Sequence, residues 1–288
     1  MDVALVSDLL RLQHPDLADL EIRSETSGFD NTTWRLGDQF LVRLPRRAIG
    51  AVLMEHEHRW LPELAPRLPL KVPTPIRIGR PSPQFAWPWS VVEWIEGSPG
   101  NTVPELTLRN GAEPLGRFLR SLHTDSPTAA PVNEFRSLPL KCYDATFLKR
   151  LDNVGDRVNA QVVLDVWRSA LSAPPWSKDN VWIHGDLHPA NTIFDSGALV
   201  GVIDFGDLCG GDPATDLAGA LMSLPFESID WFFDEYGVVD LATQRRMLGW
   251  AVHFGLMFTL LGIDSEPSYA PIGRRAIANA TALAGTML

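Results

Sequence analysis

His184-Gly185-Asp186-Leu187-His188-Pro189-Ala190-Asn191, followed thirteen positions later by Asp204-Phe205-Gly206, decides how the rest of the chain is read. A phosphoryl-transfer loop has the form H-x-D-x-x-x-x-N. One carboxylate accepts the proton of an attacking hydroxyl, and an amide five residues on helps hold magnesium. Asp186 and Asn191 stand at that spacing. The other magnesium ligand comes from an Asp-Phe-Gly segment after a short hairpin; Ile193-Phe194 and Val200-Gly201-Val202-Ile203 flank a Gly197 turn just ahead of Asp204.

Two plainer readings compete. His184, Asp186 and His188 alternate, so on a strand they would share a face as metal ligands. Pro189 interrupts such a strand, and no second His/Cys cluster or H-E-x-x-H helix completes a zinc site. A turn and helix start could also arrange these residues for structure alone, but that leaves the downstream Asp-Phe-Gly unexplained.

Protein kinases carry Arg between the His and Asp of this loop; here position 185 is Gly, and no A-P-E segment follows Asp204. The chain instead runs Asp207-Leu208-Cys209-Gly210-Gly211-Asp212-Pro213-Ala214-Thr215-Asp216-Leu217-Ala218, with Asp212 as an N-cap and Pro213 as the first helical residue. This H-G-D-x-x-x-x-N, I-D-F-G-D and G-D-P-x-x-D-L-A series resembles the aminoglycoside phosphotransferase and choline kinase group of small-molecule kinases. The resemblance extends, more weakly, over almost the whole chain.

The resemblance implies an α+β, two-lobed, protein-kinase-like fold. Residues 1–97 would form a nucleotide-binding lobe with an antiparallel sheet, and residues 98–288 a larger, mostly helical catalytic and substrate-binding lobe. Asp186 would be the base, Asn191 and Asp204 magnesium ligands, His184 a tie to the Asp-Phe-Gly backbone, and Asp216 a support for the loop. His188 stands where protein kinases place a Lys near the transferred phosphate.

On the nucleotide side the family covers the phosphates with a hairpin loop, and no Walker A motif is present. Ser27, Asn31 and Thr32 occupy that loop's position. Arg43 stands where the family usually has Lys, so charge is kept while donor geometry changes. Its carboxylate partner on the next helix is expected to be Glu55, with Glu57 as the fallback. Glu93 and Ile95 match the hinge strand whose backbone meets the base of ATP or GTP, and Val92 the gatekeeper position.

Composition sets the class. The 288 residues are 45% hydrophobic, enough for a large core or two modest ones. Cys142 and Cys209 form no disulfide framework, and the start of the chain reads as no signal peptide, so a reducing cytoplasm is the expectation. Met247 to Ile263 lacks Asp, Glu, Lys and Arg, but it contains His253 and three glycines and reads as a core helix rather than a membrane span.

Hydrophobic spacing predicts helices over residues 3–10, 53–64 and 115–122. Strands are predicted at residues 32–36 and 39–44, joined by a tight two-residue turn at Gly37-Asp38, and at 90–95. Glu96-Gly97-Ser98-Pro99-Gly100 marks the boundary between lobes. No repeat or low-complexity tract is present.

The acceptor is read from charge. Residues 1–98 hold 11 Lys/Arg and 13 Asp/Glu, whereas residues 99–288 hold 14 and 22. Glu227, Asp230, Asp234, Glu235, Asp264 and Glu266 fall where the family binds substrate, and an acidic cleft gathers cations. A cationic aminoglycoside is therefore the first expectation, with no nucleic acid and no membrane as partner. Leu224-Pro225-Phe226, Trp231-Phe232-Phe233, Tyr236 and Trp250 would suit a macrolide or another bulky acceptor. Alternatively the acids are a solvated face and the aromatics core. A pseudokinase that binds without turnover is the reading from another class.

Overall fold

The computed structural model describes residues 1–25, 28 and 30–286, in two compact units. One comprises Met1–Glu96 with Asp204–Gly206; the other comprises Gly97–Ile203 with Asp207–Leu288.

The first unit is built on a five-stranded antiparallel sheet. Its strands are β1 (Ile22–Ser24), β2 (Asn31–Leu36), β3 (Phe40–Pro45), β4 (Pro75–Gly79) and β5 (Trp89–Glu93), in the order β1-β2-β3-β5-β4. Helix α1 (Val3–Gln13) starts at Asp2, whose side chain accepts from the Leu5 N–H at 3.0 Å. Its buried face, Val6, Leu9 and Leu10, joins Trp34, Leu36, Val42, Leu44, Met54, Trp89 and Val91 in one apolar core.

Helix α2 (Ala48–Leu64) begins five residues before its predicted start. The β2–β3 turn also departs from expectation. Leu36 pairs with Phe40, so Gly37, Asp38 and Gln39 form a three-residue loop. The Gly37 N–H is committed to the Glu21 carbonyl at 2.8 Å, and Gly37 takes a φ of +55° that favours glycine. Arg23 and Arg35 donate to the loop's carbonyls, holding it open by that extra residue.

In the second unit, α3 (Glu105–Leu108) and α4 (Ala112–Leu122) follow β6 (Ser98–Pro99), and then come α5 (Asp144–Val154) and α6 (Ala160–Ser172). Strand β7 (Val181–Ile183) pairs with β10 (Cys209–Gly211), and β6 pairs with the hairpin of β8 (Thr192–Asp195) and β9 (Ala198–Val202). Helices α7 (Ala214–Ser223), α8 (Ile229–Tyr236), α9 (Leu241–Asp264) and α10 (Ala270–Thr286) complete it. Among the described residues α9 is the one helix long and apolar enough to cross a membrane. Most of it is buried, and α5, α6, α7 and α10 pack around it, as befits a core helix. The segment His184–Asn191 therefore lies between two short strands, β7 and β8, that are backed by helices.

Candidate active site

Asp216 sits in the first turn of α7, where a carboxylate suits the helix dipole, and is 1% exposed. Its two oxygens accept from the backbone N–H groups of His184, at 2.6 Å, and Gly185, at 2.9 Å. His123 closes the arrangement at 3.2 Å through Nε2, and its Nδ1 meets the Tyr236 hydroxyl at 2.8 Å. The chain leaving β7 is thus fixed at two consecutive amides.

His184 is fully buried. Its Nδ1 accepts from the Asp186 N–H at 3.2 Å, so Nε2 carries the proton and donates to the Ile203 carbonyl at 2.9 Å. The imidazole links the loop to the residue just ahead of Asp204. Gly185 has a φ of +83°, and a Cβ there would lie 2.7 Å from the Asp207 carbonyl oxygen. No side chain fits, which accounts for the absence of the protein-kinase Arg.

Asp186 keeps a quarter of its side chain exposed in a loop that is otherwise largely buried. Arg136 Nη2 donates to Oδ1 at 2.9 Å; His188 Nε2 and Asn191 Nδ2 both stand 3.4 Å from Oδ2. Burial pushes the carboxyl upward, but nearby His188 and Arg136 outweigh it and hold the group well below the usual carboxylate range. The shift favours the ionised form of the side chain.

Asn191 donates Nδ2 to the Asp186 carbonyl at 2.9 Å, which leaves Oδ1 as the atom it can offer a cation. His188 is 4% exposed, with edge-on contacts to Phe258 at 4.9 Å and Tyr269 at 5.8 Å. Asp207, bonded to Asn133 at 2.5 Å, is pushed above the usual range, chiefly by burial.

In the first unit Arg43 is 6% exposed and meets Glu57 at two points, Nη1 with Oε2 and Nη2 with Oε1, the latter at 3.0 Å. This corrects the expected partner. Glu55 is exposed, because Met54, Glu57, Leu61 and Leu64 share the inward face of α2 and position 55 points away from it. Arg43 Nη2 also lies 3.9 Å from Asp204 Oδ1. Burial alone would weaken its hold on the proton, but Glu57 and Asp204 more than restore it. Asp204 has a φ of +64°, one of two non-glycine residues at positive φ among those described. Its carboxylate is about half exposed.

Asn31 and Thr32 are half-buried at the start of β2, and the Asn31 Oδ1 is buried without a hydrogen-bond partner among the described residues. Ser27 lies outside the described residues. Glu93 ends β5 with its side chain exposed, while Ile95 and Val92 are buried.

The acids expected around the acceptor behave differently. Glu227, Asp230, Asp234, Asp264 and Glu266 are all exposed. Among the described residues their side chains form no hydrogen bond or ion pair; Glu235 pairs with Arg117 at 3.0 Å. Trp250 and Phe232 are core, whereas Phe226 and Trp231 reach the surface.

Sequence reading missed Arg136 and His123. Arg136 lies in irregular chain ahead of α5, where no periodicity or motif spacing marks it. His123 ends the periodic run of α4, but nothing sequential links it to a carboxylate 93 residues away.

The sequence model of the phosphotransferase enzyme family matches residues 21–250. An aminoglycoside 3'-phosphotransferase of Salmonella typhimurium is 34% identical over 112 residues, covering 38% of this chain and 41% of that protein. One of Escherichia coli matches at 34% over 116 residues. The chain thus matches about two-fifths of the length of these relatives. The solved GDP complex of an aminoglycoside 2'-phosphotransferase-IIIa shares the fold with a TM-score of 0.71 at 20% identity, over 99% of this chain and 100% of that one. A macrolide 2'-phosphotransferase of Brachybacterium faecium superposes with a TM-score of 0.65 at 23% identity, over 96% and 97%. The α+β kinase-like fold is therefore common to all three, and by the family match across most of its length the chain belongs to the phosphotransferase enzyme family.

Proposed function

We propose that the chain is a magnesium-dependent, cytoplasmic small-molecule kinase that moves the γ-phosphate of ATP or GTP to a hydroxyl of an antibiotic-like acceptor, an aminoglycoside first. The observation that carries this reading is Asp186, a partly exposed carboxylate held as an anion on a loop clamped by Asp216. The acceptor oxygen forms its bond to the γ-phosphorus as the bond to the bridging oxygen of the nucleotide breaks. The electron pair leaves with the nucleoside diphosphate, and the hydroxyl proton passes to Asp186.

Asn191 Oδ1 and the Asp204 carboxylate are hard oxygen donors of the kind magnesium takes. When bound, the metal would neutralise charge on the β- and γ-phosphates. Arg43, fixed by Glu57, supplies a permanent positive charge for the phosphates, and the Asn31–Thr32 end of β2 offers polar groups beside it. The names of the matched relatives and neighbours, and kanamycin bound with GDP in one neighbour's structure, support an antibiotic acceptor. The exposed Phe226 and Trp231 favour a macrolide as the second reading.

The test is nucleotide consumption with and without magnesium, using ATP and GTP against kanamycin, gentamicin, streptomycin and a macrolide, with product mass as readout. Phosphorylated product is expected from wild type. Asp186→Asn should lose transfer by more than about 100-fold while binding nucleotide nearly as well. Tight nucleotide binding without turnover against any acceptor would favour a pseudokinase.

A further inference from the structure

Arg136 contacts Asp186 directly, yet neither the motif nor the proposed chemistry uses it. Its Nη2 takes Oδ1 of Asp186 at 2.9 Å. The guanidinium rests 5.1 Å over the Phe254 ring, and its buried Nε has no hydrogen-bond partner among the described residues, the Asp207 carboxylate lying 3.9 Å away. The side chain is 14% exposed. A second cation stands in the same wall: Arg150 donates to His253 Nε2 at 3.0 Å, His253 packs 5.8 Å from Phe254, and among the described residues no carboxylate pairs with Arg150.

Both Asp186 oxygens therefore have neighbours, but unequally. Oδ1 holds a direct charged hydrogen bond, whereas Oδ2 has only the two 3.4 Å approaches of His188 and Asn191. Oδ1 is occupied by a donor at ordinary hydrogen-bond length, so Oδ2 is the oxygen left for a hydroxyl. A hydroxyl donating there lies within a few ångströms of a guanidinium. An ammonium on the neighbouring carbon would meet a like charge, while a hydroxyl would meet a donor.

We infer that Arg136 is a positioning and specificity-determining residue: it orients Asp186 so that Oδ2 takes the proton, and it selects an acceptor hydroxyl flanked by uncharged oxygen rather than by an ammonium. This rests on Asp186 being the base. It narrows the acceptor within the proposed class, because the amines of a polycationic acceptor must then lie away from the reacting hydroxyl.

Kanamycin A and kanamycin B test it, since they differ only in bearing a hydroxyl or an amine beside one ring hydroxyl. Wild type should favour kanamycin A about tenfold in kcat/KM, and Arg136→Gln should narrow the ratio below about threefold. Arg136→Ala should lower kcat about 100-fold with nucleotide affinity within about threefold. Millimolar guanidinium ion should restore part of that loss without affecting wild type, and Arg136→Lys should lose less than Arg136→Ala. If neither kanamycin is phosphorylated, rescue is read on nucleotide hydrolysis, with water in place of the hydroxyl. Where Arg136→Ala unfolds, Arg136→Gln carries the rescue and affinity readings. Turnover by Arg136→Ala within about threefold of wild type, a loss that neither Lys nor guanidinium lessens, or a wild-type preference for kanamycin A of less than about threefold would overturn the inference and leave the kinase reading standing. Wild type that consumes no nucleotide under any condition would overturn both.

Discussion

Arg43 and Glu57 meet through two parallel hydrogen bonds in the interior of the first unit, the guanidinium 6% exposed and the carboxylate 2%. The geometry suits Arg because its planar fork matches a carboxylate at two points, which the single ammonium of Lys cannot do. Substituting Arg43 by Ala leaves Glu57 charged and unpaired in the core. A loss of about 3–5 kcal/mol in stability is expected by urea unfolding, together with weaker nucleotide binding. Arg43→Lys should fall between wild type and Arg43→Ala in both measurements. Glu55→Gln, at an exposed position, should shift stability by no more than about 0.5 kcal/mol.

Asp216 is the second buried carboxyl group with a defined task. Asn at this position keeps one acceptor oxygen but turns an NH2 toward one of the two backbone N–H groups, so donor faces donor. Asp216→Asn should cost about 2 kcal/mol in stability. Because the donors belong to the segment carrying Asp186, kcat should fall while the nucleotide dissociation constant stays within about threefold. A variant with wild-type kcat would show that the loop keeps its shape without this clamp.

What the sequence disclosed, and what it withheld, follows from the range of each interaction. The His184–Asn191 loop and the Asp204–Gly206 segment are local spacings, and the roles assigned to His184 and Asp216 need only backbone partners within those motifs. The choice between Glu55 and Glu57 depended on the rotational phase of α2, which begins at Ala48, earlier than its apolar pattern suggested. Arg136 could not be found at all. It reaches Asp186 across 50 residues of chain from an irregular segment, and only the fold brings them together. Charge and position along the chain assign Glu227, Asp230, Asp234, Asp264 and Glu266 to the acceptor, but neither says which way a side chain points, and these point to solvent.

His253 gives a pH dependence with a definite sign. Arg150 donates to its Nε2, so that nitrogen accepts and the ring is neutral; burial first, then Arg150 and Arg136, push its pKa down to about 3. The unfolded chain binds this proton near pH 6.5 and the folded chain only near 3. The contribution is therefore fully present above about pH 6.5 and is lost as pH falls toward 3. The slope from this group approaches about 1.4 kcal/mol per pH unit between those limits. His253→Gln should flatten urea-derived stability between pH 6.5 and 4.5 relative to wild type. An equally steep decline in the variant would assign the acid sensitivity to other groups.

Asp204 combines a functional carboxylate with a backbone that most residues resist. At a φ of +64° an L side chain carries strain, which Asn and Asp tolerate better than Ala. Ala substitution therefore confounds two losses. Asp204→Asn should retain wild-type stability within about 0.5 kcal/mol, whereas Asp204→Ala should lose about 1 kcal/mol more through the backbone alone. Both variants remove the negative oxygen, so both should weaken magnesium-nucleotide binding and turnover to a similar degree. Thermal or urea unfolding separates the strain, and titration of nucleotide at several magnesium concentrations reads the ligand role. If Asp204→Asn bound magnesium-nucleotide as wild type does, its carboxylate would not be a metal ligand, and the positive φ would have to be explained by the turn into Phe205 and Gly206.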